Sequence, residues 1–262
     1  MPPDSSSFTA LNVSSSAVPE WMGSFSLSAP PNTDLWRKPP SSDTSTAPIL
    51  YTALRNPFVA AEVTVSADWE LEWDQAGLVI FAGAPPGRIG GSQQSPPPAT
   101  VAPTGPTPAQ SQPPAQPQPQ PQQHDAPPPA YTPPAPASKW VKVGLEFSNN
   151  ECHATSVCAT CDGADWALTS LPSHRGRRSD LRVKMERIGY ALWVWYEDDV
   201  SGWKKLREVT WFFWGVEDKA VRVGVYASRP ANLGATHYER RHGGPRVTQR
   251  NLLVEFEGLE IF

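Results

Sequence analysis

From Leu181 onward the chain changes face at every residue. Leu181, Val183 and Met185 alternate with Arg182, Lys184 and Glu186, a turn follows at Ile188-Gly189, and Ala191 to Tyr196 runs back. A period of two marks a half-buried strand, and two such runs joined by a tight turn make a β-hairpin. A second turn, Asp198-Asp199-Val200-Ser201-Gly202, leads into Trp203 to Val209 and extends the hairpin to a three-stranded meander. The pattern recurs. In Phe58 to Ser66, Val59, Ala61, Val63 and Val65 share one face, with Ala60, Glu62, Thr64 and Ser66 on the other. In Trp140 to Phe147, Val141, Val143, Leu145 and Phe147 oppose Trp140, Lys142, Gly144 and Glu146. Val221 to Ala227 and Leu252 to Phe256 add strands, for about ten in all, and no window sustains a 3.6-residue period. The expected fold is all-β, two packed antiparallel sheets in a sandwich or jelly roll.

One stretch stands outside this pattern. Of 262 residues, the 47 from Ser92 to Ser138 hold 17 of the 31 prolines and 9 glutamines, with Asp125 as their only acid and no Lys or Arg. Such a composition cannot bury enough apolar surface to offset ordering, so a disordered insertion is expected. It lies between two strand-like segments, Leu78 to Phe81 and Trp140 to Phe147, which makes it an overgrown loop within one domain. Closure entropy grows by only about 0.6 kcal/mol per doubling, so a loop of about fifty residues costs roughly 2 kcal/mol more than a short one. The tract is either a solvated polyproline spacer or a ligand for domains that grip PxxP segments such as Pro133-Pro134-Ala135-Pro136. Residues 1–20 read as a disordered tail, Ser-rich through Ser16, and residues 21–262 as a single sandwich interrupted by the tract.

Several classes of function are disfavoured. No apolar run reaches the roughly 20 residues of a membrane span, and Met1 to Ser16 lacks the basic and apolar regions of a signal peptide, so a cytoplasmic protein is expected. From Lys139 onward 18 basic residues balance 16 acidic ones; the one basic cluster, Arg175, Arg177 and Arg178, is too small a face for nucleic acid. Three cysteines argue for reduced thiols. Cys152, His153, Cys158 and Cys161 have the donors of a Cys₃His zinc site, but adjacent Cys152 and His153 point to opposite faces of a strand, so no metal is expected. The chain lacks GxxxxGK[ST], GxGxxG and GxSxG, and its histidines are scattered, so neither a nucleotide cofactor nor a local hydrolase triad is indicated.

The run Thr33-Asp34-Leu35-Trp36-Arg37-Lys38-Pro39, followed by Asp74-Gln75-Ala76-Gly77-Leu78, Trp140-Val141-Lys142-Val143-Gly144-Leu145-Glu146, Asp165-Trp166 and Tyr226-Ala227-Ser228-Arg229-Pro230, resembles the fungal regulation-of-enolase family. That family is a domain-of-unknown-function group with a concanavalin A-like sandwich. The resemblance implies an intracellular protein linked to carbohydrate metabolism and carries over no catalytic residue.

Two constellations remain. Glu255, Glu257 and Glu260 resemble the carboxylate strings of sandwich glucanases, but Glu260 lies on the opposite face from the other two unless a bulge at Gly258 shifts the parity. The plainer reading puts Val254 and Phe256 in the core and Glu255 and Glu257 in water. The eleven tryptophans recur near turns, and indole faces beside carboxylates and amides suit pyranose rings. Polar groups that follow or interrupt apolar strands single out Trp73, Asp74, Gln75, Glu146, Trp166 and Arg229 as ligand-binding candidates. The expected function is non-catalytic: binding a carbohydrate or regulating a carbohydrate-metabolism enzyme. A protein-interaction module and a glycoside hydrolase or lyase are the alternatives.

Overall fold

The computed structural model describes residues 2–87, 138–172, 179–231 and 250–262. Most of the Pro/Gln tract, the Arg175, Arg177 and Arg178 cluster, and His124, His174, His237 and His242 lie outside the described residues. The first half of the chain supplies β1 (Phe8–Leu11), β2 (Ser24–Ala29), β3 (Leu35–Lys38), β4 (Ser42–Ser45), β5 (Ile49–Ala53), β6 (Ala60–Ala67) and β7 (Gln75–Ala82). After the tract come β8 (Lys139–Ser148), β9 (Glu151–Ala159), β10 (Ala164–Ser170), β11 (Asp180–Ile188), β12 (Ala191–Asp198), β13 (Gly202–Val209), β14 (Val221–Ser228) and β15 (Leu252–Ile261).

Two antiparallel sheets pack face to face. One has seven strands in the order β1-β5-β14-β7-β8-β9-β10, the other six in the order β13-β12-β11-β6-β15-β2. This is the expected concanavalin A-like sandwich. Its main core lies between the sheets, where Ala61, Val63 and Val65 of β6 and Leu181, Val183 and Met185 of β11 meet Leu78 and Ile80 of β7 and Val141, Val143 and Leu145 of β8. The predicted meander is β11-β12-β13, and its first turn is Gly189-Tyr190, with Gly189 at φ +62°.

Three expectations need correction. The tail is not free: β1 pairs with β5, and Phe8 and Leu11 are buried there, covering an edge of the seven-stranded sheet that would otherwise be open. Val59 lies outside β6 and is 58% exposed, so the alternation begins one residue later. The described residues form fifteen strands rather than about ten. Four-residue β3 and β4, and β10 with its Ala164-Asp165-Trp166 start, are too short or too polar to register as alternating runs.

The outer face of the seven-stranded sheet decides where a site can form, because it too is apolar. Strand β7 is buried along its whole length: Leu78 and Ile80 belong to the main core, while Val79 and Phe81 join Ile49, Tyr51, Trp140, Val157 and Tyr226 in a second cluster on the far side. Such a face must be covered. The cover is the β3-β4 ribbon, whose Leu35 is fully buried in the second cluster.

Arg37 pins the ribbon. Its Nε and Nη2 donate to Asp43 Oδ1 and Oδ2 at 2.8 Å each, and its Nη1 donates to the carbonyls of Ser138 and Thr160 at 2.8 and 2.9 Å. The guanidinium is 1% exposed and approaches the Trp140 ring to 6.0 Å. Removing one partner of a buried ion pair leaves a charge without compensation, so Asp43→Ala is expected to cost about 3–5 kcal/mol in urea denaturation. Glu62→Ala, which breaks a pair with the 40% exposed Arg182, should cost about 1 kcal/mol or less. Equal losses from the two substitutions would show that Arg37 does not hold the ribbon.

Candidate functional site

Beyond the ribbon, the outer face opens into a pocket of about 500 Å³. Its wall combines Trp36 and Lys38 of β3, Trp73 before β7, and Trp166 of β10 with Asp34, Gln75, Lys142 and Glu146. Register explains the convergence. Gln75 pairs with Glu146, Val79 with Lys142, Lys142 with Val157, and Val157 with Trp166, so adjacent strands deliver side chains to one face. Between these rows Gly77 pairs with Gly144, and both face the same side. A Cβ on Gly77 would stand 1.9 Å from the Val143 carbonyl oxygen, so the two backbones approach too closely for any other residue.

The pocket floor carries charge. Lys142 is fully buried; its Nζ lies 3.2 Å from Asp34 Oδ1 and 5.3 Å from the centroid of the Tyr226 ring. An ammonium has three donors, and among the described residues only Asp34 receives one. Glu146 is 1% exposed, and its Oε2 accepts from Thr155 Oγ1 at 2.7 Å and from Trp166 Nε1 at 3.1 Å. Its Oε1 accepts from no described residue. Burial pushes the Glu146 carboxyl above its ordinary range, against the Thr155 hydroxyl, the Lys142 charge and the Trp166 indole, with Asp34 adding to the rise. Burial likewise pushes the Tyr226 phenol well up, while its hydroxyl lies 3.3 Å from Gln75 Oε1.

Of the six residues singled out from the sequence, Trp73, Gln75, Glu146 and Trp166 line this pocket. Asp74 and Arg229 do not. They form a buried fork, Arg229 Nε to Asp74 Oδ1 at 2.8 Å and Nη2 to Oδ2 at 2.7 Å, with side chains 2% and 0% exposed. Asp74 Oδ2 also accepts from the backbone of Glu70 and Leu71, and Arg229 Nη1 donates to the Arg250 carbonyl. A carboxylate saturated in this way has little left for a ligand.

The fork holds Trp73. That residue sits at φ +68°, a left-handed conformation that costs a bulky side chain about 1–2 kcal/mol. The backbone around it is fixed on both sides: Trp73 N–H donates to the Phe147 carbonyl, and Phe147 N–H to the Asp74 carbonyl, each at 2.8 Å. The strain presents an indole that is 48% exposed, on the pocket that the 43% exposed Trp166 also lines. Asp74 and Arg229 are thus positioning residues.

The sequence candidates omitted Asp34, Trp36, Lys38 and Lys142. A signal was present, because Asp34, Trp36 and Lys38 alternate with Leu35 and Arg37, which are buried. For Lys142, charge on an otherwise apolar strand was the clue, since both faces of β8 are buried.

The other constellations lie elsewhere. A bulge does shift the register between Glu257 and Glu260, with Gly258 at φ +63° and Leu259 buried, so all three glutamates lie on the outer side of the six-stranded sheet. Glu255 and Glu257 are exposed there, opposite in facing to Val254 and Phe256 in the core. Trp193 and Trp195 stack at 5.8 Å on that same outer side. Cys152 and Cys158 face the main core, Cys161 is exposed, and among the described residues no three metal-ligating side chains gather. No helix among the described residues is long and apolar enough to cross a membrane.

The chain belongs to a family described as a protein of unknown function, DUF1349, whose pattern matches residues 14–241. An uncharacterized protein of Emericella nidulans is 30% identical over 211 residues, covering 80% of this chain and 79% of its own. Among solved structures, a functionally unknown protein from Saccharomyces cerevisiae is similar across 99% of this chain and 98% of its own, with a TM-score of 0.59 and 18% identity. A GH43 protein from Bacillus licheniformis gives a TM-score of 0.50 at 11% identity, over 99% of this chain but 35% of its own. At such identities both likenesses concern the fold.

A raised carboxyl pKa fixes the sign of a pH effect. Where the folded pKa exceeds the unfolded one, the group's stabilising protonation is fully present below the unfolded pKa and is lost as pH rises through the folded value. Glu146→Gln, which keeps an acceptor for Thr155 and Trp166, should therefore exceed wild type in Tm by a margin that grows as pH rises above the ordinary glutamate range and levels off beyond the folded value. A gap that is constant, or that widens toward acid, would contradict a carboxyl raised by burial.

Proposed function

We propose that this protein is a non-catalytic cytoplasmic binding module whose ligand is a carbohydrate, held in the pocket between Trp36, Trp73 and Trp166. The observation that carries the reading is a fully buried ammonium, Lys142, with one donor used, and beside it a carboxyl oxygen of Glu146 without a protein partner, both at the floor of an indole-walled pocket. Indole rings cover the apolar face of a pyranose, and the fixed polar groups between them select its hydroxyls. Burying such groups unpaired lowers stability, which a ligand's hydroxyls would offset. The implied link to a carbohydrate-metabolism enzyme fits a sugar sensor that reports to such a partner.

A second reading has one observation in its favour. Glu146, a carboxyl raised by burial, shares the pocket with Asp34, and two carboxyl groups in one cleft can act as acid and base in glycoside hydrolysis. Against it, Asp34 is engaged by Lys142 and by the backbone N–H of Leu35.

Glycan-array screening followed by calorimetry tests both readings. Trp166→Ala should weaken the sugar that binds by about 1 kcal/mol beyond lost contact area. Trp73→Gly should weaken it too, while the strain relieved at φ +68° offsets part of the stability lost with the half-buried indole. Glu257→Gln should change neither. Turnover of an array sugar, abolished in Glu146→Gln, would replace the binder with an enzyme; no glycan binding at all would remove the carbohydrate reading and leave a protein-interaction role.

A further inference from the structure

A second and larger cavity, of about 680 Å³, adjoins the first. The two share a wall. Trp36 and Lys38, both of β3, line both cavities. The far wall of the second cavity comes from the β9-β10 turn, the start of β10, and β13 with the turn after it, which contribute Asp162, Asp165, Arg207, Glu208 and Trp211.

The chemistry of the first pocket is repeated there. Trp211 supplies an indole, and the Lys139 ammonium lies 5.6 Å from its ring centroid while donating to the carbonyls of Trp211 and Trp214, which fixes that turn. Arg207 supplies the donor. Its side chain is 17% exposed, and every contact it makes to a described residue falls on Nη1: Asp165 Oδ2 at 3.1 Å, the Asp165 carbonyl at 3.4 Å and Cys158 Sγ at 3.3 Å. The guanidinium is thereby held in place while Nε and Nη2 donate to no described residue. A planar fork with unused donors, beside an indole and the carboxylate of Asp162, suits a polyhydroxylated ring as the first pocket does.

We propose that the two cavities are consecutive subsites for one linear oligosaccharide, with Trp36 and Lys38 as the wall it passes and Arg207 as the hydrogen-bond donor of the second subsite. The proposal rests on the sugar reading of the first pocket and deepens it. A monosaccharide fills one cavity, whereas a chain that crosses Trp36 engages both without paying twice for lost rigid-body freedom, so affinity rises with length until both are filled.

The test is calorimetric titration of the full chain with cello-, laminari-, xylo- and chito-oligosaccharides, each from monosaccharide to hexasaccharide. For the series that binds, wild type should gain affinity in two steps with length. Arg207→Ala should lose about tenfold in affinity for the longest member and leave the shortest unchanged. Asp162→Ala, at an exposed position on the same cavity, should weaken only the long ligands by a few-fold and serves if Arg207→Ala fails to fold. Affinity independent of length, or equal losses for short and long sugars in both variants, overturns the two-subsite proposal while leaving the first pocket intact. Failure of wild type to bind any member of any series overturns both.

Discussion

A guanidinium taken out of water holds the functional face together. Arg37 sits between the ribbon and the seven-stranded sheet, with four hydrogen bonds to a carboxylate and two carbonyls, and the ribbon it places brings Asp34, Trp36 and Lys38 to the pocket. The geometry leaves a gap. Seven strands span about 29 Å, whereas a four-residue strand reaches only about 13 Å, so the ribbon covers the apolar cluster around Tyr226 and Trp140 but not the whole sheet. Where its cover ends, beside β8, β9 and β10, the sheet presents Lys142, Glu146 and Trp166 to the opening.

Two kinds of buried charge can then be told apart by how completely they are satisfied. Asp74 and Arg229 are saturated: their fork and its backbone bonds account for both carboxylate oxygens and most guanidinium donors. They act on structure, and their effect at the pocket is to keep Trp73 in a conformation that its side chain disfavours. Lys142 and Glu146 are incompletely satisfied, and hydrophobic residues in their places would stabilise the sheet better. Local cost without a structural return is a mark of a functional position.

Much of the sandwich was legible in the sequence, because alternation on one face is enforced wherever a strand has one buried side. The faces of β6, β8, β11 and β12 follow directly from Val63, Val143, Val183 and Val194 and their neighbours. What the sequence obscured were elements stabilised by tertiary contact: β1 exists because it pairs with β5, and β3 because Arg37 and Leu35 are buried from one side. Four of six candidate site residues converge because strand register, which turns and bulges set, brings them together. The same residue types at Asp74 and Arg229 serve another end, and no one-dimensional pattern distinguishes a saturated carboxylate from one that faces a ligand.

The central claim is that the face beneath the ribbon, and not the outer side of the six-stranded sheet, receives the ligand. Its most direct test is the set of tryptophan indole N–H resonances, titrated with the glycan that binds. The account predicts that the signals of Trp36, Trp73 and Trp166 move while those of Trp193, Trp195 and Trp203, which carry lysines 4.2, 5.3 and 4.9 Å from their ring centroids on the opposite sheet, stay in place. Movement of the second group with the first unchanged would contradict it.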